Sequence, residues 1–113
     1  MFAKAKRLKK TADFKKIFRD GKFVRGDFSD LRFLPNGLPI CRFGFITGLG
    51  VSKKATIRNK IRRQLSEAAK ILASSIIKSF DILIITKAKI VGKTQKEILK
   101  DVESSFKKAK IYP

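Results

Sequence analysis

The chain has 113 residues, of which 43% are hydrophobic, including ten Phe, so it has enough apolar side chains for one folded domain rather than a disordered basic tail. Its 28 Lys and Arg against nine Asp and Glu leave a net charge of +19, an excess that usually persists because a polyanion neutralises it. Nucleic acid is the expected partner, and an anionic membrane is the alternative. With no His and a single cysteine, Cys41, the sequence excludes an internal disulfide and lacks the commonest metal ligand and general base.

The start of the chain combines a basic lead-in with a short helix. Residues 1–10 are basic but are not followed by the apolar segment of a secretory signal. No apolar run approaches the roughly 20 residues that span a bilayer, so we expect a cytoplasmic protein without a membrane partner. Thr11 is the predicted N-cap of a helix over about 12–20, whose apolar face carries Phe14 and Phe18.

Two strand-like segments follow, at 27–34 and 40–47, and they flank the turn-forming sequence PNGLP at 35–39. In the second segment, apolar residues alternate with Arg and Gly, which is typical of a half-buried strand. We predict that these two strands pair with each other. Residues 22–25 could form a further strand of their own.

The second half of the chain predicts a long helix, a buried strand and a final helix. Residues 80–86 are apolar on both faces, as expected for a strand that is central in a sheet or covered on both sides. Thr94 and Glu97 form a capping box that opens a helix to about residue 108. The element order is αββαβα, or αβββαβα if 22–25 is a strand. The long helix is predicted over 57–79 from one apolar stripe, formed by Ile57, Ile61, Leu65, Ala68, Leu72 and Ser75.

The first turns of this long helix are strongly basic. On a helical wheel, one arc beside the apolar stripe collects basic and amide side chains, whereas Lys60 falls on the other side, near Glu67. Arg offers planar donors to phosphates, and the helix N-terminus adds free backbone N–H groups. The alternative is a solvated surface, but Glu67 is the only carboxylate between residues 52 and 80. The arc contains Arg58, Asn59, Arg62, Arg63 and Lys70.

Other residues allow two interpretations. Phe14 and Phe18 are either core residues or partly exposed platforms on which single-stranded RNA bases stack. Lys87, Lys89 and Lys93 lie either at the edge of a cleft or in a solvated loop. The carboxylates are scattered singly, and no Ser or Cys nucleophile has a His partner, so we predict no catalytic residue and no metal ligand in the chain. The chain is expected to bind RNA rather than to cleave it.

Four segments resemble a known family. The sequence SKKATIRNKIRR, at 52–63, resembles the Arg-Asn-Arg signature of the bacterial ribonuclease P protein subunit. The segment RLKKTADFKKIFRDGK, at 7–22, is similar to the opening of that family. FDILIITK, at 80–87, resembles its fourth strand, and SSFKKAKIY, at 104–112, its C-terminal helix and tail. The resemblance covers nearly the whole chain in the right order.

The resemblance implies a fold and a function. Residues 1–113 would form a single α/β (α+β) two-layer sandwich of order α-β-β-β-α-β-α, like the second domain of ribosomal protein S5, with a left-handed β-α-β crossover. The protein would pair, as a monomer in a 1:1 complex, with a catalytic RNA, and together they would remove the 5′ leader of precursor tRNA by endonucleolytic hydrolysis. The RNA would carry catalysis and hold the Mg²⁺ ions.

The resemblance also assigns site residues by position. The family's contact with the catalytic RNA would fall on Ser52, Lys53, Lys54, Arg58, Asn59, Lys60, Arg62 and Arg63. The cleft for the single-stranded leader, between the sheet and the first helix, would be lined by Phe14, Phe18, Phe28, Lys87, Lys89 and Tyr112.

The chain departs from the family pattern at three places. The link between Ser-Lys-Lys and Arg-Asn is shortened to ATI, at 55–57. The third basic residue of the signature is Lys60, which keeps the charge without the planar fork of Arg. A tyrosine common on the cleft face falls at Leu31, and a lysine after the fourth strand falls at Ala88, for which Lys87 or Lys89 would substitute.

Two competing functions remain for the sequence. A ribosomal or general RNA-binding structural protein could have the same element order without any role in processing. A cationic protein of the membrane surface is disfavoured, because the pattern predicts a folded α/β domain with dispersed Phe residues.

Overall fold

A computed structural model describes residues 7–76 and 79–112. It contains three α-helices and four β-strands in the order α-β-β-β-α-β-α, so residues 22–25 do contribute a separate strand. A short 3₁₀ turn, Ala88–Ile90, follows the last strand. The helices are α1 (Thr11–Asp20), α2 (Ala55–Ala73) and α3 (Gln95–Lys108), and the strands are β1 (Lys22–Val24), β2 (Ser29–Pro35), β3 (Arg42–Ile46) and β4 (Phe80–Thr86).

The four strands form one sheet in the order β1-β2-β4-β3. β2 is antiparallel to both β1 and β4, and β3 runs parallel to β4, so α2 is the crossover between these two parallel neighbours. The prediction that residues 80–86 form a central strand is confirmed. Ile82 and Leu83 point to opposite faces of the sheet, and both are fully buried.

The predicted pairing of 27–34 with 40–47 is wrong, because β4 lies between these two strands. An inserted strand with two apolar faces buries more surface than a two-stranded hairpin would. The loop between β2 and β3 is bonded to β4. The side-chain Nδ2 of Asn36 donates to Ile40 O within the loop and to Asp81 Oδ1 of β4, both at 3.0 Å. The turn residues at 35–39 correctly predicted that the chain reverses direction there. They gave no indication that β4 lies between the two strands that the turn connects.

The two faces of the sheet are covered unequally. α2 and α3 cover one face, where the main core forms around Phe33, Phe43, Leu65, Ile82 and Phe106. The shorter α1 lies on the opposite face and packs with a smaller cluster of Leu8, Ile17 and Leu83. The sheet with α2 and α3 forms the two layers, and α1 leaves part of the second face open.

Residues before α1 extend the outer side of β3. Arg7 forms a parallel bridge with Phe43, and Leu8 N donates to Phe43 O at 2.8 Å. Leu8 is buried beneath α1, so this short segment is fixed both by the sheet and by the smaller apolar cluster.

The ends of two helices differ from the predictions. Thr11 lies inside α1, and the N-cap is Lys10, which makes no side-chain capping bond. α2 begins two residues earlier than predicted and ends at Ala73, so the exposed Ser75 does not continue the buried stripe. The chain must leave the helix there to reach β4 at Phe80. Residues 77 and 78 of the predicted helix lie outside the described residues.

The capping box of α3 is confirmed. Thr94 Oγ1 accepts the N–H of Glu97 at 3.2 Å, and the Glu97 carboxylate accepts the N–H of Thr94 at 3.2 Å. The bonds that the carboxylate accepts from the N–H and the hydroxyl of Thr94, with a smaller contribution from Lys93, keep the pKa of Glu97 below its usual value. Within residues 7–76 and 79–112, no helix is both long and apolar enough to cross a bilayer.

Candidate RNA-binding surfaces

The first surface is the loop before α2 together with the first turns of that helix, residues 52–63, which we call the basic segment. Two arginines fix the loop from the helix side. Arg58 Nη1 donates to Ser52 O at 2.9 Å, and Arg62 Nη2 donates to Thr47 O at 3.1 Å. Arg62 Nη1 also donates to Asn59 Oδ1 at 2.8 Å, which orders the amide on the adjacent turn. Residues 55–57, where the family resemblance indicates a shortened link, form the first turn of α2, and this helix holds the loop before it.

The remaining cations of the basic segment are exposed. A hollow of about 360 Å³ is lined by Thr56, Asn59, Arg62 and Arg63 at the surface of α2. The first turn of α2 contains no acidic residue, and its N-cap makes no side-chain bond, so no cap satisfies the first backbone N–H groups of the helix. Among the described residues, no ion pair involves a cation of the basic segment. The exposed cations are Lys53, Lys54, Lys60 and Arg63, and the amide of Asn59 is exposed beside them.

The second surface is the open part of the sheet beside α1, which we call the α1 face. Phe14 is partly buried and packs with the Leu83 cluster over Gly44. Phe18, one turn later, keeps 44% of its surface exposed. The two interpretations of these residues therefore separate: Phe14 belongs mainly to the core, and Phe18 offers a ring to solvent.

Two further residues of the α1 face were missed at the level of sequence. The Arg32 guanidinium lies 5.3 Å from the ring centroid of Phe18 and 5.1 Å from that of Phe23. Arg32 Nη1 also donates to Phe18 O at 3.3 Å. In the sequence, the alternation of polar Asp30 and Arg32 with apolar Leu31 and Phe33 is the signal that would have found Arg32.

Leu31, to which the resemblance assigns the family's cleft tyrosine, faces the main core. Leu31 is only 2% exposed and packs in the core beneath α2 and α3, so it does not lie on the cleft face. Its neighbour Arg32 occupies the α1 face instead. A shift of one position along a strand moves a side chain to the opposite side of the sheet.

Lys87 lies at the end of β4 and is held by two partners. Its Nζ donates to Gly26 O at 2.7 Å and pairs with Asp30 Oδ1 at 2.9 Å. Lys89 is exposed in the turn that follows, and Ala88, where the family has a lysine, is also exposed. Of the two candidate substitutes, Lys89 has the freer ammonium group.

Phe28 and Tyr112 lie with α3, away from Phe14 and Phe18. Phe28 packs against the main core, and the Lys93 ammonium lies 5.2 Å from its ring centroid. The ring of Tyr112 packs against that of Phe106, with the two ring centroids 6.5 Å apart. The six predicted leader residues thus fall into two groups rather than one cleft.

The basic segment adjoins the end of the sheet where β3 and β4 finish. The hydroxyls of Thr47, after β3, and Thr86, at the end of β4, are buried and 3.0 Å apart. Thr47 O accepts the hydrogen bond from Arg62, and Lys87 directly follows Thr86. The basic segment and Lys87 therefore lie at the same end of the sheet.

Comparison with known proteins identifies the chain. A sequence model of the family described as Ribonuclease P matches residues 2–110. The ribonuclease P protein component of Caldanaerobacter subterraneus subsp. tengcongensis is 30% identical over 112 residues, covering 99% of this chain and 96% of that protein. The chain belongs to the ribonuclease P protein family. The corresponding protein of Fusobacterium nucleatum subsp. nucleatum is 36% identical over 108 residues, covering 92% of this chain and 96% of the relative.

Solved structures of ribonuclease P proteins have the same fold. The Staphylococcus aureus protein is 30% identical with a TM-score of 0.88, covering 97% of this chain and all of that one. The Thermotoga maritima protein is 27% identical with a TM-score of 0.82, covering 90% of this chain and 96% of that one. The fold class implied by the family resemblance is confirmed.

The family fixes the general function. Ribonuclease P is the ribonucleoprotein endoribonuclease that matures the 5′ end of tRNA, and this chain is its protein component, with catalysis carried by the RNA subunit. A ribosomal or general RNA-binding protein without a processing role is therefore not the right description. Among the described residues, no three His, Cys, Asp or Glu side chains gather as a metal site would require.

Proposed function

We propose that the basic segment of this ribonuclease P protein binds the catalytic RNA, and that the α1 face binds the single-stranded leader of precursor tRNA. The observation that carries the first part is a set of exposed cations without carboxylate partners among the described residues, on a helix start whose N–H groups are free. Phosphates of a folded RNA would supply the missing anions. The residues in this role are Ser52, Lys53, Lys54, Arg58, Asn59, Lys60, Arg62 and Arg63.

Within the basic segment, two roles divide the arginines. Arg58 and Arg62 each donate one guanidinium N–H to a backbone carbonyl of the loop before α2. These bonds hold the loop so that Lys53 and Lys54 are presented in a fixed position. Arg63 makes no such bond and meets RNA with its whole fork. Pre-ordering the loop lowers the entropy cost of binding.

The leader would lie on the α1 face, with a base stacked on Phe18. An exposed ring next to an arginine suits a single strand, because stacking is tolerant of sequence and the cation neutralises the backbone. Lys87 and Lys89, at the shared strand end, would accompany the leader toward the catalytic RNA. Phe28 and Tyr112 stay predictions for this role; the leader would have to pass the end of β2 to reach Phe28.

The proposal includes the partners and cofactor of the complex. One protein would bind one catalytic RNA, and the Mg²⁺ ions that hydrolyse the phosphodiester would be held by that RNA. Several carboxylates of the chain, among them those of Asp81, Glu97 and Asp101, are engaged in structural contacts, which fits an RNA-held metal. With precursor tRNA as its substrate, the complex would work in the cytoplasm.

Reconstitution tests the proposal. The protein is mixed with a bacterial ribonuclease P RNA at low magnesium, and cleavage of precursor tRNA is measured with and without protein. We expect a clear increase in cleavage, because the protein's cations replace part of the charge screening otherwise supplied by metal ions. Unchanged cleavage over a range of magnesium concentrations would refute the proposal.

The leader site has its own test. Phe18→Ala should weaken binding of precursor tRNA to the reconstituted complex by about 1–3 kcal/mol, the value of one stacked base, and leave mature tRNA unaffected. Ile71→Ala is the matched control, since Ile71 is an exposed apolar residue on α2, outside both surfaces. Equal losses for precursor and mature tRNA would show that Phe18 serves the fold instead.

A further inference from the structure

The α1 face presents an arginine between two exposed aromatic rings. Phe23 and Arg32 are directly paired across β1 and β2, so their side chains stand side by side on the same face of the sheet. Phe18 approaches from the last turn of α1. The rings of Phe18 and Phe23 are 44% and 47% exposed, and both centroids lie within 5.3 Å of the guanidinium carbon.

This arrangement restricts Arg32 without consuming its hydrogen-bonding capacity. Two cation–π contacts and the bond from Nη1 to Phe18 O hold the guanidinium in place. An arginine carries five N–H donors, so most of them stay available to a ligand. Among the described residues no carboxylate lies within ion-pair distance of Arg32.

A pre-positioned arginine fork next to ring faces has the chemistry to recognise a nucleobase. Guanine presents two neighbouring acceptors, O6 and N7, that match the fork, and its ring can stack on an exposed phenyl group. A phosphate would use the fork but gain nothing from the rings. Lys22, the neighbouring cation on β1, lies on the other side of the sheet beside Phe33, which makes a purely electrostatic site less favourable here.

We propose that Arg32, held between Phe18 and Phe23, selects a guanine at one position of the precursor tRNA leader. This inference rests on the proposed leader-binding role of the α1 face. It adds a base preference, and it assigns specificity to two residues, Phe23 and Arg32, outside the set taken from the family pattern.

A scan of leader sequences tests the proposal. Precursor tRNAs carry an all-adenine leader, or the same leader with one guanine placed at successive positions, and their affinities for the reconstituted complex are compared. One position should bind roughly five- to tenfold more tightly as guanine, the lower part of the range for a bidentate arginine contact. Replacing that guanine by 7-deazaguanine, which lacks N7, should remove most of the gain.

Two variants assign the preference to the arginine and its rings. Arg32→Lys keeps the charge but loses the fork, so all leaders should bind at about the affinity of the adenine leader. Phe23→Ala should reduce the guanine preference by leaving the fork less ordered. Thermal unfolding of both variants shows whether the fold is intact, and Leu38→Ala, an exposed apolar residue in the loop between β2 and β3, is the control.

Three outcomes would overturn the inference. The affinity could be the same for every guanine position, the preference could persist in Arg32→Lys, or Arg32→Lys could weaken all leaders equally, as a phosphate contact would. In each of these cases, if precursor tRNA still bound more tightly than mature tRNA, the proposed leader-binding role of the α1 face would stand. Affinity independent of the leader would overturn both.

Discussion

Arg58, Arg62 and Arg63 lie within six residues of one helix but meet different surroundings. Arg58 and Arg62 each donate to a backbone carbonyl of the preceding loop, whereas Arg63 is exposed and makes no hydrogen bond or ion pair among the described residues. An arginine that serves the loop and the RNA cannot be tested by one assay. The three residues therefore need separate measurements of stability and RNA affinity.

Arg63→Ala should weaken binding to the catalytic RNA without changing the free energy of unfolding. The slope of log K against log salt should become shallower by about 0.7–0.9 if one phosphate contact is lost. Arg62→Ala should weaken binding and also lower stability, because the bond to Thr47 O is lost. Titrations at several salt concentrations and urea unfolding give both quantities.

Lys96→Ala, an exposed cation on α3, is the control for charge alone. If Arg63→Ala matches this control in affinity and salt slope, the basic arc is a solvated surface rather than an RNA contact.

At the residue scale, the sequence predicted the type of side chain at a site better than the face of the helix or sheet to which that side chain points. The basic arc of α2 and the exposed state of Phe18 agree with what helical periodicity allows. Leu31 was assigned to the cleft face and Arg32 was not singled out, because the register of the strand was not known and one residue decides the face. Phe28 lies outside β2, where no periodicity indicates which way a side chain points.

At the scale of elements, the α1 face depends on one close approach. Gly44 of β3 lies beneath Phe14, and a Cβ there would come within 3.0 Å of the Phe14 ring and 3.1 Å of the Leu83 side chain. Glycine in a strand often marks such a contact. The depth of α1 on the sheet, and hence the position of Phe18, is set at Gly44.

Gly44→Ala should lower the free energy of unfolding by about 1–3 kcal/mol, because the added methyl group forces Phe14 to move. Precursor tRNA affinity should fall further than mature tRNA affinity, since α1 shifts relative to Arg32. Gly48→Ala is the matched control: no atom lies within 4 Å of its added Cβ. Identical urea unfolding of the two variants would contradict the close contact.

The element order was predictable, and the order of strands in the sheet was not. Each helix and strand has a local signal, such as the capping box at Thr94 or the apolar run of β4. Strand neighbours depend on long-range burial, and the turn at 35–39 suggested a hairpin that β4 interrupts. The end of α2 was also missed, since Ser75 fits a helical stripe as well as it fits a turn.

At the scale of the whole molecule, Asp101 of α3 ties the helical layer to the start of β2. Its carboxylate accepts the N–H of Asp27 at 3.1 Å, the N–H of Phe28 at 3.3 Å and the hydroxyl of Ser29 at 3.4 Å. Burial raises the pKa of Asp101 above its usual value, and these hydrogen bonds only partly offset that effect. The folded protein therefore holds this proton more tightly than the unfolded chain.

The sign of the resulting pH dependence follows. The stability linked to Asp101 is fully present below its ordinary pKa of about 3.9, and it is lost as the pH rises through the raised pKa. Compared with Asp101→Asn, which cannot titrate, the unaltered protein should gain relative stability when the pH falls from 7 to 4. Urea unfolding of both proteins at each pH measures the difference, and a constant or shrinking difference would contradict the raised pKa.

The short segment at Arg7 and Leu8 has a consequence for the protein when it is not bound to RNA. An uncovered strand edge can recruit another chain and start aggregation, and β3 would offer such an edge. The N–H of Leu8 donates to the carbonyl of Phe43 and so covers part of the β3 edge. The other edge strand, β1, is only three residues long. A protein shortened to begin at Lys9 would leave β3 free to recruit other copies, and its loss of activity would then reflect self-association rather than weaker RNA binding.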